Sequence, residues 1–260
     1  MKVITHRGLD PSIPNFPSES SEEAFRNQLK RGYGLEFDVR LSDNGIILVS
    51  HEKITKNNER KMVTVSKLLS MIEIETKETI SAIHLKKDSQ TKVCIDKLLE
   101  ILKNRNLNRY ILFDATIETA TYIKLKNSYL SIAASVSHPY DIKRYNEVVG
   151  GTLYSIDDLL AHKDLFSWAW LDEWDTRDEN DSEKKFLTAE TFQRIREAGL
   201  KIGLVTPELH GTSPGLLGGE SHPDATPHET RWKKRVEEIV ALKPDLICTD
   251  YPDEVATMAK

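Results

Sequence analysis

Cysteine is scarce in this chain of 260 residues: Cys94 and Cys248 are the only two, and they lie far apart. That excludes a disulfide framework and a paired-thiol redox or metal motif, and it makes a reducing compartment the expectation. No apolar run approaches the ~20 residues needed to span a bilayer. No signal-peptide pattern precedes the first strand, which begins directly after Met1, so a cytoplasmic protein is expected. Positive charge is not in excess either. Lys and Arg total 36 against 41 Asp and Glu, for a net charge of -5 and a pI of about 5.9. No basic field exists to attract nucleic acid or an anionic membrane, and an anionic ligand would have to be held by local cations. A glycine-rich phosphate loop is also missing after the first strand, where the sequence reads Arg7-Gly8-Leu9-Asp10-Pro11. This argues against a doubly wound open sheet.

What is present is alternation. Hydrophobic content of 39% and charged content of 30% fit a soluble globular chain. Short apolar runs of strand type occur at Val3–Thr5, Leu35–Val39, Ile46–Ser50, Ile80–Leu85, Tyr110–Phe113, Tyr129–Val136, Trp168–Leu171, Ile202–Val205 and Leu246–Cys248. Between them, apolar residues recur at helical spacing, as at Val65, Leu68, Leu69 and Ile72, at Ile95, Leu98, Leu99 and Leu102, and at Trp232, Val236, Ile239 and Val240. Ser20 and Glu23 have the spacing of a capping box for the first helix, and Gly199 would stop a helix from Thr188 to Ala198. About eight parallel strands, each followed by a helix, in a chain near the ~250 residues typical of the fold, predict a single (β/α)8 barrel over residues 1–260. The stretches Asp172 to Glu183 and Gly211 to Pro227 read as long loops within it.

Active sites of such barrels lie where the strands end. Polar residues collect at those positions: His6, Arg7, Glu36, Asp38, His51, His84, Lys86, Asp114, Asp172, Glu208, His210 and Asp250. Because side chains alternate along a strand, Glu36 and Asp38 share a face, as do His84 and Lys86. Two carboxylates on one face can hold Mg²⁺ or Ca²⁺, and two histidines nearby suit proton transfer near neutral pH. Asp114 and Asp250 are also at positions where an acid would cap the following helix. The four tryptophans, Trp168, Trp170, Trp174 and Trp232, read as core or rim packing.

Several of these residues stand in ordered motifs: His6-Arg7-Gly8, Ser18-Glu19-Ser20-Ser21, Glu36-Phe37-Asp38-Val39, Asn44-Gly45 and His51-Glu52, with Thr249-Asp250-Tyr251-Pro252 near the end. The set resembles the glycerophosphodiester phosphodiesterase family, within the phosphatidylinositol-phospholipase-C-like barrels. The likeness is dense over residues 1–52 and patchy afterwards. It implies a metal-dependent hydrolase of a small glycerol- or sugar-linked phosphodiester. His6 and His51 would be the acid and base, Glu36 and Asp38 metal ligands, and Glu19 a further ligand or a partner for a histidine. Arg7 and Lys86 would hold the phosphate, with Glu208 and His210 on the alcohol part of the substrate.

The chain departs from the pattern at its Ile80–Leu85 strand, where the family carries Glu-x-Lys and this sequence has His84 with Lys86 retained. Imidazole is a poor ligand for Mg²⁺ or Ca²⁺. Asp114 or Asp172 would then supply the missing carboxylate, or His84 itself would ligate a different metal such as Mn²⁺ or Zn²⁺. Two alternatives follow: a lyase that stops at a cyclic phosphate, and a non-catalytic phosphate- or sugar-binding barrel. An aldolase using Lys86 as a Schiff base would leave two histidines and two acids idle.

Overall fold

Eight parallel strands close on themselves in this computed structural model, which describes residues 1–74, 79–173, 180, 182–209 and 226–260. The ring runs β1 (Lys2–His6), β2 (Gly34–Leu41), β4 (Ser81–Leu85), β5 (Tyr110–Phe113), β6 (Ser131–Val136), β8 (Trp168–Leu171), β9 (Lys201–Val205) and β10 (Leu246–Thr249), and returns to β1. Closure is made by β1 lying between β10 and β2, with Ile4 opposite both Cys248 and Gly34. The helices are α1 (Glu22–Arg31), α2 (Val65–Ile74), α3 (Lys92–Leu102), α4 (Ile117–Lys126), α5 (Pro139–Val149), α6 (Ile156–Ala161), α7 (Ala189–Glu197), α8 (Thr230–Ala241) and α9 (Pro252–Met258). This is the expected (β/α)8 barrel.

Two strands stand outside the ring. The apolar run at Ile46–Ser50 is β3 (Ile47–Val49), paired antiparallel with β2. Asp43-Asn44-Gly45 forms the connection, with Gly45 at φ 73°, a left-handed conformation that glycine adopts without penalty. β7 (Leu153–Tyr154) adds two residues beside β6. Helix α1 also begins one residue later than expected. Ser21, not Ser20, is the N-cap and accepts from the Ala24 N–H at 3.2 Å, while Ser20 has φ 57°. Glu22 and Glu23 sit in the first turn and Lys30 and Arg31 in the last, complementing the helix dipole.

Strand alternation divides the apolar residues into two cores. One face of each strand, including Leu35, Phe37, Val39, Ile83, Leu112, Ile132 and Leu204, packs against the helices. The other fills the barrel with Ile4, Ala82, Ile111, Phe113, Ala133, Trp168, Trp170, Val205, Leu246 and Cys248. Trp168, Trp170 and Trp232 are thus packing residues, as expected, whereas Trp174 lies outside the described residues. Small residues make room for large ones inside. A Cβ on Gly203 would come within 3.2 Å of the Trp170 ring. At Gly34 there is no room at all, since a Cβ would sit 1.8 Å from the Ile80 carbonyl oxygen. Gly34→Ala should therefore part β2 from its neighbours and cost at least ~3 kcal/mol, read as a lowered denaturant midpoint.

Candidate active site

The ring ends in a cavity of about 640 Å³ lined by residues from nearly every strand end. His6, Arg7, Glu36, His51, His84, Lys86, Asp114 and Asp172 all border it. Arg40 and Lys53 border it too, and neither was singled out in the sequence. Asp38 lies beneath, 1% exposed, in contact with three of the lining side chains. The residues predicted to act together are thus brought to one end of the barrel.

The turn after β1 is built for this. Arg7 and Gly8 both have positive φ, 53° and 75°, so the chain reverses at once after His6. The Arg7 N–H then reaches Glu36 Oε2 at 3.3 Å. A Cβ on Gly8 would lie 2.9 Å from the Phe25 ring, so only glycine lets α1 pack this close. The Arg7 side chain is buried and places Nε 3.4 Å from Asp38 Oδ2 and Nη1 3.3 Å from Glu19 Oε2. The Glu19 side chain is 42% exposed and pairs with Arg7, and it is not part of the cluster of candidate ligands found among the described residues.

His6 Nδ1 sits 3.1 Å from Asp250 Oδ1 across the β1–β10 seam. Burial favours the neutral ring, but the hydrogen bond and charge of Asp250 outweigh it and the His6 pKa is raised. Asp250 was ambiguous in the sequence. Its closeness to His6 comes from barrel closure, and the Thr-Asp-x-Pro motif was the only sign of it. His51 differs. It stands at the rim with its side chain 31% exposed and Nδ1 3.0 Å from Glu52 Oε1, and its backbone oxygen accepts from the Arg40 guanidinium. Partial burial, then the positive charges of Lys86 and Arg7, lower its pKa. The two imidazoles are pushed to opposite sides of the ordinary value.

Glu36, Asp38 and His84 each offer a donor atom, and the three donors lie within 4.8 Å of one another. His84 Nδ1 is 2.8 Å from Asp38 Oδ1 and 3.9 Å from Glu36 Oε1. Lys86 Nζ is 2.9 Å from Asp38 Oδ1. Burial raises the Asp38 pKa less than His84, Lys86 and Arg7 lower it, so it falls well below the usual carboxylate range. Glu36 goes the other way, raised by burial and by the adjacent Asp38 charge. A buried carboxylate short of positive charge, beside a second carboxylate and an imidazole, is chemically suited to a divalent cation.

Asp114 and Asp172 are not in that cluster. Asp114 Oδ2 is 2.7 Å from His84 Nε2, and its other oxygen accepts from Ser135. Burial and the Lys86 charge lower the His84 pKa, but Asp114 and Asp38 overcome them and carry it to about 9. Asp172 follows β8 and borders the cavity from the opposite side. Glu208, expected on the substrate, is corrected. It is 1% exposed, does not line the cavity, and accepts from Thr206 at 2.5 Å, Thr249 at 2.6 Å, Trp232 Nε1 at 2.7 Å and the Asp250 N–H at 3.2 Å. Its work is to fasten the end of β9 to α8 and to the residue that holds His6. His210 lies outside the described residues, as does most of the Gly211–Pro227 stretch.

No family model matches the chain, and no curated protein does. The fold is nevertheless similar to that of solved structures of other proteins. A glycerophosphodiester phosphodiesterase from Parabacteroides distasonis is similar at a TM-score of 0.65 and 14% identity, over 99% of this chain and 96% of that one. An Oleispira antarctica phosphodiesterase, solved with the product sn-glycerol-3-phosphate, is similar at 0.63 and 13%, over 99% and 96%. The glycerophosphodiester phosphodiesterase of Thermotoga maritima follows at 0.54 and 18%, over 98% and 95%. At these identities the likeness is one of fold.

The His6–Asp250 pair has a direct check. In wild type the His6 ring should titrate above its ordinary 6.5, followed by proton NMR. In Asp250→Asn, with burial no longer opposed by that charge, it should titrate below.

Proposed function

We propose that the chain is a divalent-metal-dependent hydrolase of a small glycerol- or sugar-linked phosphodiester, with His6 and His51 as its acid–base pair. The observation that carries this reading is the meeting, at one barrel mouth, of two imidazoles, two buried carboxylates and two cations. The full-length likeness to phosphodiesterase structures supports it, one of them holding a glycerol phosphate.

Glu36 and Asp38, with His84 beside them, would hold the metal. Bound there, it would neutralise phosphate charge and acidify an attacking hydroxyl or water. Arg7 and Lys86 stand ready for the non-bridging oxygens, since each presents nitrogen donors beside Asp38. His51, with its lowered pKa, is neutral at pH 7 and fits the base that takes a proton from the nucleophile. His6, whose pKa Asp250 raises against the effect of burial, fits the acid. With Nδ1 on Asp250, its Nε2 is left to protonate the leaving alcohol oxygen. A substrate hydroxyl next to the phosphate would attack first, and water would then open the cyclic phosphate by the reverse use of the same pair. Accumulation of that cyclic product would favour the lyase alternative. Ligand binding without turnover under any divalent metal would favour the non-catalytic one.

A single barrel over residues 1–260 would be sufficient for this chemistry. Both cysteines are free and buried, which supports a reducing compartment such as the cytoplasm. Among the described residues no helix is long and apolar enough to cross a membrane.

Phosphorus NMR on a panel of glycerophosphodiesters with added divalent metal tests the reaction, the expected product being a phosphomonoester. His6→Ala and His51→Ala should each lower kcat by roughly 10²–10⁴. Near-wild-type turnover in both would remove the proposal. Activity should fall as pH drops through the depressed His51 pKa, where the base becomes protonated. It should fall again as pH rises through the elevated His6 pKa, where the acid loses its proton. A kcat/KM profile lacking either limb contradicts the assignment.

A further inference from the structure

We propose that His84 is itself a metal ligand through Nδ1, that the site therefore selects a borderline transition cation such as Mn²⁺, Co²⁺ or Zn²⁺ over Mg²⁺ or Ca²⁺, and that Asp114 and Ser135 are the positioning residues that make it one. The inference rests on the reading above only in taking Glu36 and Asp38 as the companion ligands.

Three observations carry it. The first is placement. Asp38 and His84 are directly opposite each other on β2 and β4, and the two donor atoms are 2.8 Å apart. That spacing is a hydrogen bond between them. Donors held at ~2.1 Å around one ion and at right angles to each other are about 3.0 Å apart, so a cation taking the place of the shared proton would need the two donors to move little. Glu36 Oε1, at 3.9 Å from the same nitrogen, completes a triangle of two oxygens and one nitrogen.

The second is the partner on the far side of the ring. A ligating imidazole needs its metal-facing nitrogen unprotonated and its other N–H held by an acceptor. His84 Nε2 has that acceptor in Asp114 Oδ2 at 2.7 Å. Asp114 is not there by accident of rotamer. Its backbone is left-handed at φ 61°, and its carbonyl oxygen accepts from Gln90 Nε2 at 2.7 Å. Gln90 Oε1 accepts in turn from the Thr116 N–H at 2.9 Å, and Ser135 donates to the remaining Asp114 oxygen. Left-handed backbone at a non-glycine residue persists only where its surroundings insist on it.

The third is the plane of the ring. Phe113 stacks on His84 at 4.7 Å and 23°, and Trp170 stacks on Phe113 at 4.2 Å and 18°. The imidazole is therefore fixed in tilt by aromatic rings and in rotation by Asp114. A hard cation gains little from a nitrogen so prepared, whereas a borderline one prefers it.

The test uses the full chain after chelator treatment, titrated calorimetrically with Mg²⁺, Ca²⁺, Mn²⁺ and Co²⁺, with the visible spectrum of the Co²⁺ form recorded alongside. Any nitrogen–oxygen site favours Co²⁺ over Mg²⁺ to some degree, so the deciding quantity is how that ratio changes with the ligand. Wild type should bind Co²⁺ at least ~100-fold more tightly than Mg²⁺, and His84→Glu should shrink the ratio by ten-fold or more and alter the Co²⁺ spectrum. Asp114→Asn should weaken Co²⁺ by ~10–100-fold and leave Mg²⁺ affinity unchanged. If His84→Glu does not fold, by circular dichroism, Asp114→Asn decides alone. Three results would overturn the inference: no divalent ion bound by wild type, Mg²⁺ or Ca²⁺ bound as tightly as Co²⁺, or a ratio indifferent to whichever of the two variants folds. Binding that depends on His84 in a chain that cleaves no phosphodiester would retire the functional reading and keep this one. Turnover with binding that ignores His84 would do the reverse.

Discussion

Negative charge under a low-dielectric roof must be answered by positive charge or by donors, and the open end of this barrel is organised around that demand. Glu36, Asp38, Glu208 and Asp250 are all buried there. Each is answered differently. Glu208 is surrounded by hydroxyl, indole and backbone donors, although burial and Asp250 still raise its pKa. Asp250 is answered by His6. Asp38 has Arg7, Lys86 and His84 around it. Glu36 has a backbone N–H and more distant cations, and it is the carboxylate whose charge is least compensated. A divalent ion beside Glu36 would remove the imbalance.

This arrangement also separates the two histidines. They border one cavity, yet one is backed by a buried carboxylate and the other faces two cations. Opposite environments give opposite proton affinities, which is what paired acid and base work at neutral pH requires. The scaffold behind them is ordinary barrel packing. The inner core of aliphatic and aromatic side chains floors the cavity, and the His84–Phe113–Trp170 stack carries that floor up to the site itself.

Much of this was legible in the sequence because it is local. The strand runs, their helical intervals and the motifs around His6, Glu36, Asp38 and His51 are each contained within a few residues. β3 was legible as a strand, but its antiparallel pairing with β2 was not, because an apolar run of that length looks the same in a hairpin as in a parallel sheet. β7 and α6 are too short to show a period. The pairings that tune the site were hidden for a different reason. His6 meets Asp250 from the opposite end of the chain, and Asp114 reaches both His84 and Ser135 across neighbouring strands. Such contacts are products of closure and register. Glu208 was misjudged because a carboxylate near a strand end reads alike whether it points to the cavity or, as here, to Trp232 and Thr249 beneath it.

Buried acid at this barrel mouth is proposed as the seat of a divalent ion serving phosphate chemistry between two histidines. Anomalous scattering from crystals grown with Mn²⁺ and a phosphomonoester tests it most directly. The account predicts one strong peak bonded to Glu36 and Asp38, with phosphate oxygens next to it and His6 and His51 on either side. A peak elsewhere, or phosphate bound away from those imidazoles, would contradict it.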